Sequence, residues 1–159
     1  MSVTSAELAT LYFRDLSRLI QQIGAFPTDA MLWQTVPGVT NPAGNLALHL
    51  EGNLREFIGR RLGQVAYSRN RPLEFSNKEV PKQELIARLE DLRAMLPSVI
   101  ASLAEPALEA EYPETVLETP LSNLAFLIHL YGHLNWHLGQ LDYLRRVLSG
   151  DGAIQLAGL

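Results

Sequence analysis

The 159-residue chain contains no cysteine. That excludes a disulfide framework, a thiolate metal site and a cysteine nucleophile, and it leaves the redox compartment unread. Basic charge is also scarce. Thirteen Lys and Arg stand against seventeen Asp and Glu, for a net charge of −4. A nucleic-acid binder working through a basic footprint is therefore not expected. The nearest basic cluster, "RNRP" at 69–72, is short. No run reaches the ~18 uninterrupted apolar residues of a membrane span. The opening "MSVTSAELATLYFRDLSRLI" has no basic stretch followed by an apolar core, so it is not a signal peptide. A cytoplasmic protein with no membrane partner is expected. No phosphate-binding glycine loop (GxGxxG or GxxxxGK[ST]) occurs, and no HExxH zincin pattern.

Apolar residues make up 47% of the chain and charged residues 19%, enough for one folded domain spanning 1–159. The pattern is helical throughout, and no strand pattern stands out. A first helix opens near Thr4, where Glu7 three residues on has the form of a capping box. It carries Leu8, Tyr12, Leu16, Leu19 and Ile23 on one face and stops at Gly24. A proline-rich loop follows, with one helical turn at 29–33. The second helix covers 44–63, with Leu46, Leu50, Leu54, Phe57 and Ile58 as its buried stripe. A polar crossover loop leads to a third helix from Pro81 to about 103, which Pro97 should kink or divide. An acidic loop precedes a fourth helix, expected to open at Thr119–Pro120 and run to about 148. The tail "SGDGAIQLAGL" reads as loosely held. Four amphipathic helices in this length imply an all-α, antiparallel four-helix bundle, although the long second connection leaves the helix order open.

Histidine is rare and unevenly placed. Three of the four stand at four-residue steps, His129, His133 and His137, and the fourth is His49 on the second helix. On a helix, i and i+4 side chains share a face with Cβ atoms ~6 Å apart, which suits chelation of one ion. His129 and His137 are ~12 Å apart along the axis. A chelating pair therefore includes His133, with either His129 or His137 as its mate. A third ligand must come from another helix. His49 is the remaining histidine, and Asn45 and Asn53 flank it by one turn each as candidate hydrogen-bond partners. The bland alternative is that these rings are hydrogen-bonded boundary residues with no ion. Gly132 and Gly139, seven apart, suggest close helix packing, and Trp136 reads as core. Arg55, Glu56, Arg60 and Arg61 read as a solvated charged face, with Glu56–Arg60 paired. Arg145 and Arg146 suit the C-terminal end of the last helix.

The segments "NPAGNLALHLEGNLREFIG", "RNRPLEF" and "HLYGHLNWHLGQLDYLRR" resemble the DinB-like (DinB/YfiT) superfamily of metal-dependent four-helix-bundle proteins. In that family a histidine of the second helix and an HxxxH pair of the last long helix bind a divalent ion, and Gly-Gln commonly follows the pair. Here Gly139-Gln140 follows His137, so the resemblance implies His49, His133 and His137 as metal ligands and leaves His129 outside. It further implies one divalent ion, zinc or nickel first, with iron or manganese as alternatives. The implied activity is S-transfer dependent on a low-molecular-weight thiol, or else metal-dependent hydrolysis, on a small-molecule substrate. Catalytic residues are not assigned. A homodimer is expected on the same ground. The competing reading is a non-catalytic helical binding or assembly protein whose histidines are structural.

Overall fold

The computed structural model describes residues 2–116 and 118–158. The described part is all-α. Seven α-helices occur among these residues: α1 (Val3–Gly24), α2 (Asp29–Leu32), α3 (Ala43–Leu54), α4 (Arg71–Ser76), α5 (Lys82–Ser102), α6 (Glu105–Glu109) and α7 (Asn123–Ser149). A π-helical stretch, Arg55–Arg60, continues α3. The four long helices were expected. The short ones lie in connections, and α4 and α6 fall where only loops were read.

Local chemistry explains the ends. Ser2, rather than Thr4, caps α1, and it forms a reciprocal capping box with Ser5. Thr28 caps α2 through the backbone N–H of Met31. Ser122 caps α7, three residues later than the expected start. Gly150 ends α7 at φ +75°, a left-handed conformation that favours glycine. Pro97 sits inside α5 without dividing it.

Side-chain contacts fix the helix directions. Along α1 and α7, Tyr12 Oη donates to Leu127 O, the Tyr131 hydroxyl donates to Asp15, and Gln22 donates to Asp142, so these two helices run parallel. Along α3 and α5, Arg55 donates to Arg88 O and Gly59 faces Met95, so these also run parallel. Between α3 and α7, His49 meets His133 while Phe57 meets Phe126, an antiparallel pair. Ser5 reaches Ala101 and Arg93 reaches Ser17, so α1 and α5 are antiparallel. The expected antiparallel four-helix bundle is thus corrected in two respects. Among the described residues the helix count is seven, and two neighbouring pairs of long helices are parallel. The 61–81 connection is long enough to return the chain to the end where α3 began, which a short turn cannot do.

The core is mainly leucine. Leu16, Leu19, Leu50, Leu89, Leu96 and Leu134 are fully buried among its members. Charge enters it at two places. Asp15 is fully buried against Arg14, Arg18 and Tyr131. Arg145 is also fully buried, held by Gln22 and by Gly152 O. The tail is tied down as well: Ala157 O accepts from Arg18 and Ala157 N donates to Gln21. The expectation of a loose tail is corrected by these bonds. Among the described residues no helix is long and apolar enough to cross a membrane.

Candidate metal centre

Two antiparallel helices bring the histidines together. α3 presents His49 from a segment buried along its whole length, and α7 presents His133 and His137 one turn apart. His49 Nε2 lies 3.2 Å from His133 Nε2, and His137 Nε2 lies 3.1 Å from the same atom. The three rings are mutually edge-on, with centroids 4.6–5.5 Å apart. His129 is exposed, stacks on Phe126, and is not part of this cluster.

Each outer ring is braced from behind. His49 Nδ1 is 2.9 Å from the buried Glu74 carboxylate, and Arg69 grips the same carboxylate at 2.6 and 2.8 Å. His137 Nδ1 is 2.7 Å from Gln140 Oε1. Both contacts place the ring proton on Nδ1 and turn the Nε2 lone pair inward. His133 Nδ1 is buried without a partner among the described residues. Burial, reinforced by the neighbouring His137 and His49, lowers the His133 pKa to about 4. Burial lowers His137 also, against the opposing hydrogen bond that His137 donates to Gln140. Burial alone would raise the Glu74 carboxyl, but hydrogen bonds from His49 and Arg69 outweigh it and hold it below the usual carboxylate range.

Glu74 and Arg69 were not singled out from the sequence. They come from the connection read as irregular. Asn70 caps α4 and Pro72 sits in its first turn, and these two residues were the available signal. Asn45 makes no hydrogen bond to His49 among the described residues. It donates instead to Glu74 O and Asn77 O and so ties α4 to α3. Asn53 Oδ1 is buried without a hydrogen-bond partner among the described residues. Gly52 lets α4 approach: a Cβ there would collide with the Glu74 carboxylate.

The donor set fits a divalent ion. Zinc–imidazole bonds of about 2.0–2.1 Å give N···N edges near 3.3 Å in a tetrahedron and near 3.0 Å in an octahedron. The observed 3.1 and 3.2 Å lie between these values. A cavity of about 470 Å³ adjoins the site. His137 and Gln140 line it beside Val36, Leu46, Leu144 and Val147, and no Lys, Arg, Asp or Glu does so.

An all-helical fold that converges three imidazoles from two helices defines a candidate histidine metal protein. The chain belongs to the DinB superfamily, whose family model matches residues 13–141. Its fold is similar to the crystal structure of a DinB-like protein from Bacillus cereus ATCC 10987, with a TM-score of 0.67 over 92% of this chain and 95% of that one at 14% identity. Comparison with curated proteins gives no match.

Proposed function

We propose that His49, His133 and His137 hold one divalent ion, zinc or nickel first and iron or manganese otherwise, at the active site of an enzyme. The reaction proposed is thiol-dependent S-transfer, with metal-dependent hydrolysis second. The observation that carries this reading is the convergence of three imidazole nitrogens beside an uncharged cavity.

Three nitrogen ligands leave coordination positions for a substrate. A bound ion there would supply a Lewis acid that lowers the pKa of a thiol or water ligand. The chain's own groups do the rest. Glu74 and Gln140 orient two rings, and the depressed pKa of His133 keeps that ring neutral at physiological pH. The cavity wall is largely apolar and carries no charged side chain, which suits an uncharged electrophile. In S-transfer the thiolate sulfur bonds to the electrophilic carbon, and the leaving group departs with the electrons of the broken bond. A closed structural site would need a fourth protein ligand, and among the described residues the cluster has three members.

Elemental analysis of untagged protein dialysed against metal-free buffer tests the reading. About one equivalent of metal is expected, followed by thiol consumption in transfer assays with that metal. Protein that neither retains nor takes up zinc or nickel would return the histidines to a structural role.

A further inference from the structure

The Gln140 side chain has two ends, and the metal centre uses one of them. Its Oε1 lies 2.7 Å from His137 Nδ1. His137 Nε2, on the other edge of the ring, lies 3.1 Å from His133 Nε2 in the histidine cluster. A neutral imidazole that offers its Nε2 lone pair carries its proton on Nδ1, and only the oxygen of an amide can accept that proton. The Gln140 Nε2 is therefore turned away from the ring, with two N–H donors and no acceptor among the described residues. Gln140 is exposed and lines the cavity of about 470 Å³ beside the histidines. The other polar side chains of that lining are Thr40, Asn41, His137 and Tyr143. Thr40 and Asn41 are delivered by a turn. Val39 N–H donates to Val36 O at 2.9 Å, with Pro37 second and Gly38 third at φ +78°, the residue order that a type II turn favours.

We infer that the Gln140 amide selects what the cavity accepts, by donating to a neutral oxygen acceptor, the carbonyl of a ketone, ester or amide. The inference rests on the function proposed above and narrows its uncharged electrophile to one that carries such a carbonyl. Charge points the same way. A carboxylate or phosphate ligand calls for Arg or Lys, and neither lines the cavity. The apolar lining, with Val36, Leu46, Leu144 and Val147, offers the amide donors no side-chain acceptor. A carbonyl replaces the water on these donors. A wholly apolar ligand strips that water and leaves an N–H unpaired, and this difference is the source of discrimination. The donors stand beyond the Nδ1 edge of His137, away from Nε2. They therefore meet a part of the substrate remote from the reacting atom, and Gln140 sets specificity and position rather than chemistry. One amide thus holds a metal-binding ring by its oxygen and the substrate by its nitrogen.

Acetophenone and ethylbenzene serve as probes, since they match in shape and differ by one carbonyl oxygen. Their binding to zinc-treated protein is followed in nitrogen-15 spectra, where loss of a side-chain NH₂ signal in Gln140→Glu identifies Gln140. That variant keeps an oxygen for the His137 proton and removes both donors. Gln140→Leu removes the donors without adding a charge. The measured quantity is the ratio of acetophenone to ethylbenzene affinity, in which the apolar part of binding cancels. The ratio should fall about fivefold in both variants, the worth of one neutral hydrogen bond. In the wild type, acetophenone should shift the Gln140 NH₂ signal and ethylbenzene should not. A role confined to bracing His137 would leave the ratio unchanged. Zinc content of the same samples separates this inference from the reading beneath it. Protein that binds zinc with an unchanged ratio, or whose Gln140 signal neither probe moves, keeps its metal centre and overturns the inference. Protein that takes up no zinc overturns both, because the amide orientation depends on a His137 Nε2 that offers its lone pair.

Discussion

Substitution of Glu74 by Gln tests whether the charge behind His49 sets metal affinity. The carboxylate is buried, 2.9 Å from His49 Nδ1, and takes both Arg69 donors. As a carboxylate it accepts every one of these bonds. An amide cannot. If its oxygen faces His49, its NH₂ opposes the Arg69 guanidinium, and if it turns, the NH₂ opposes the His49 proton. Either way the imidazole loses orientation and basicity. Groups behind a metal-bound histidine are typically worth 10–100-fold in affinity, about 1.4–2.8 kcal/mol. Competition of zinc against a fluorescent chelator at pH 7 would read that loss. Gly52→Ala provides a charge-neutral control on the same contact. Its Cβ would stand 2.8 Å from Glu74 Cδ, so the carboxylate must move away. Both variants should bind more weakly than wild type. If both keep native helicity and bind within about twofold, ~0.4 kcal/mol, the bracing of His49 is irrelevant and the reasoning fails.

Other outcomes follow from the same contacts. His133→Ala should abolish zinc binding while His129→Ala leaves it largely intact, because His133 Nε2 is common to both short N···N contacts. An intact His137→Ala with a failed His129→Ala would show that the chelating pair is wrong. Asp15→Ala should cost about 1–3 kcal/mol in urea unfolding, since it removes the acceptor shared by Arg14, Arg18 and Tyr131. Burial alone would raise the Asp15 carboxyl, but hydrogen bonds from Arg14 and Tyr131 outweigh it and hold it below its ordinary 3.8. Its stabilisation is therefore present above that pH and lost as pH falls through the lower folded value, an acid limb that Asp15→Ala should lack. Deleting residues 151–159 removes Gly152 O from the buried Arg145 and should cost ~1–3 kcal/mol in the same assay.

The legible parts were those encoded within one helix. Periodic leucines marked α1, α3, α5 and α7, because each sends its leucine stripe into the shared core. The four-residue histidine series and the lone His49 pointed to the cluster for a similar reason: i, i+4 spacing fixes neighbours without knowledge of the fold. Choosing His137 over His129 needed the family resemblance, since both satisfy the spacing. Glu74 was hidden because its role depends on where a connection folds back. Nothing in "RNRPLEF" says that α4 rests on Gly52 and is held there by Asn45. The charged run was misread in part for the same reason. Glu56, read with Arg55, Arg60 and Arg61 as solvated, is buried against Arg60 and Arg61.

Trp136 and the two glycines show where periodicity itself stops being informative. A hydrophobic stripe identifies a buried face only if the opposite face is polar. In α7 the uncharged stretch from 123 to 141 wraps the whole helix, so pattern alone cannot say which apolar residues meet the core. Trp136 was expected inside and is exposed, and Gly132 and Gly139 were expected to permit packing yet face open space within the chain. A helix that is apolar all round is normally buried all round. Here the chain buries one side, with Leu127, Leu134 and Leu141, and directs His133 and His137 toward α3. The glycine-lined remainder is the side that a single copy leaves uncovered. The absence of charge that misled the reading of Trp136 thus leaves the exposed side of α7 as apolar as the side that meets the core.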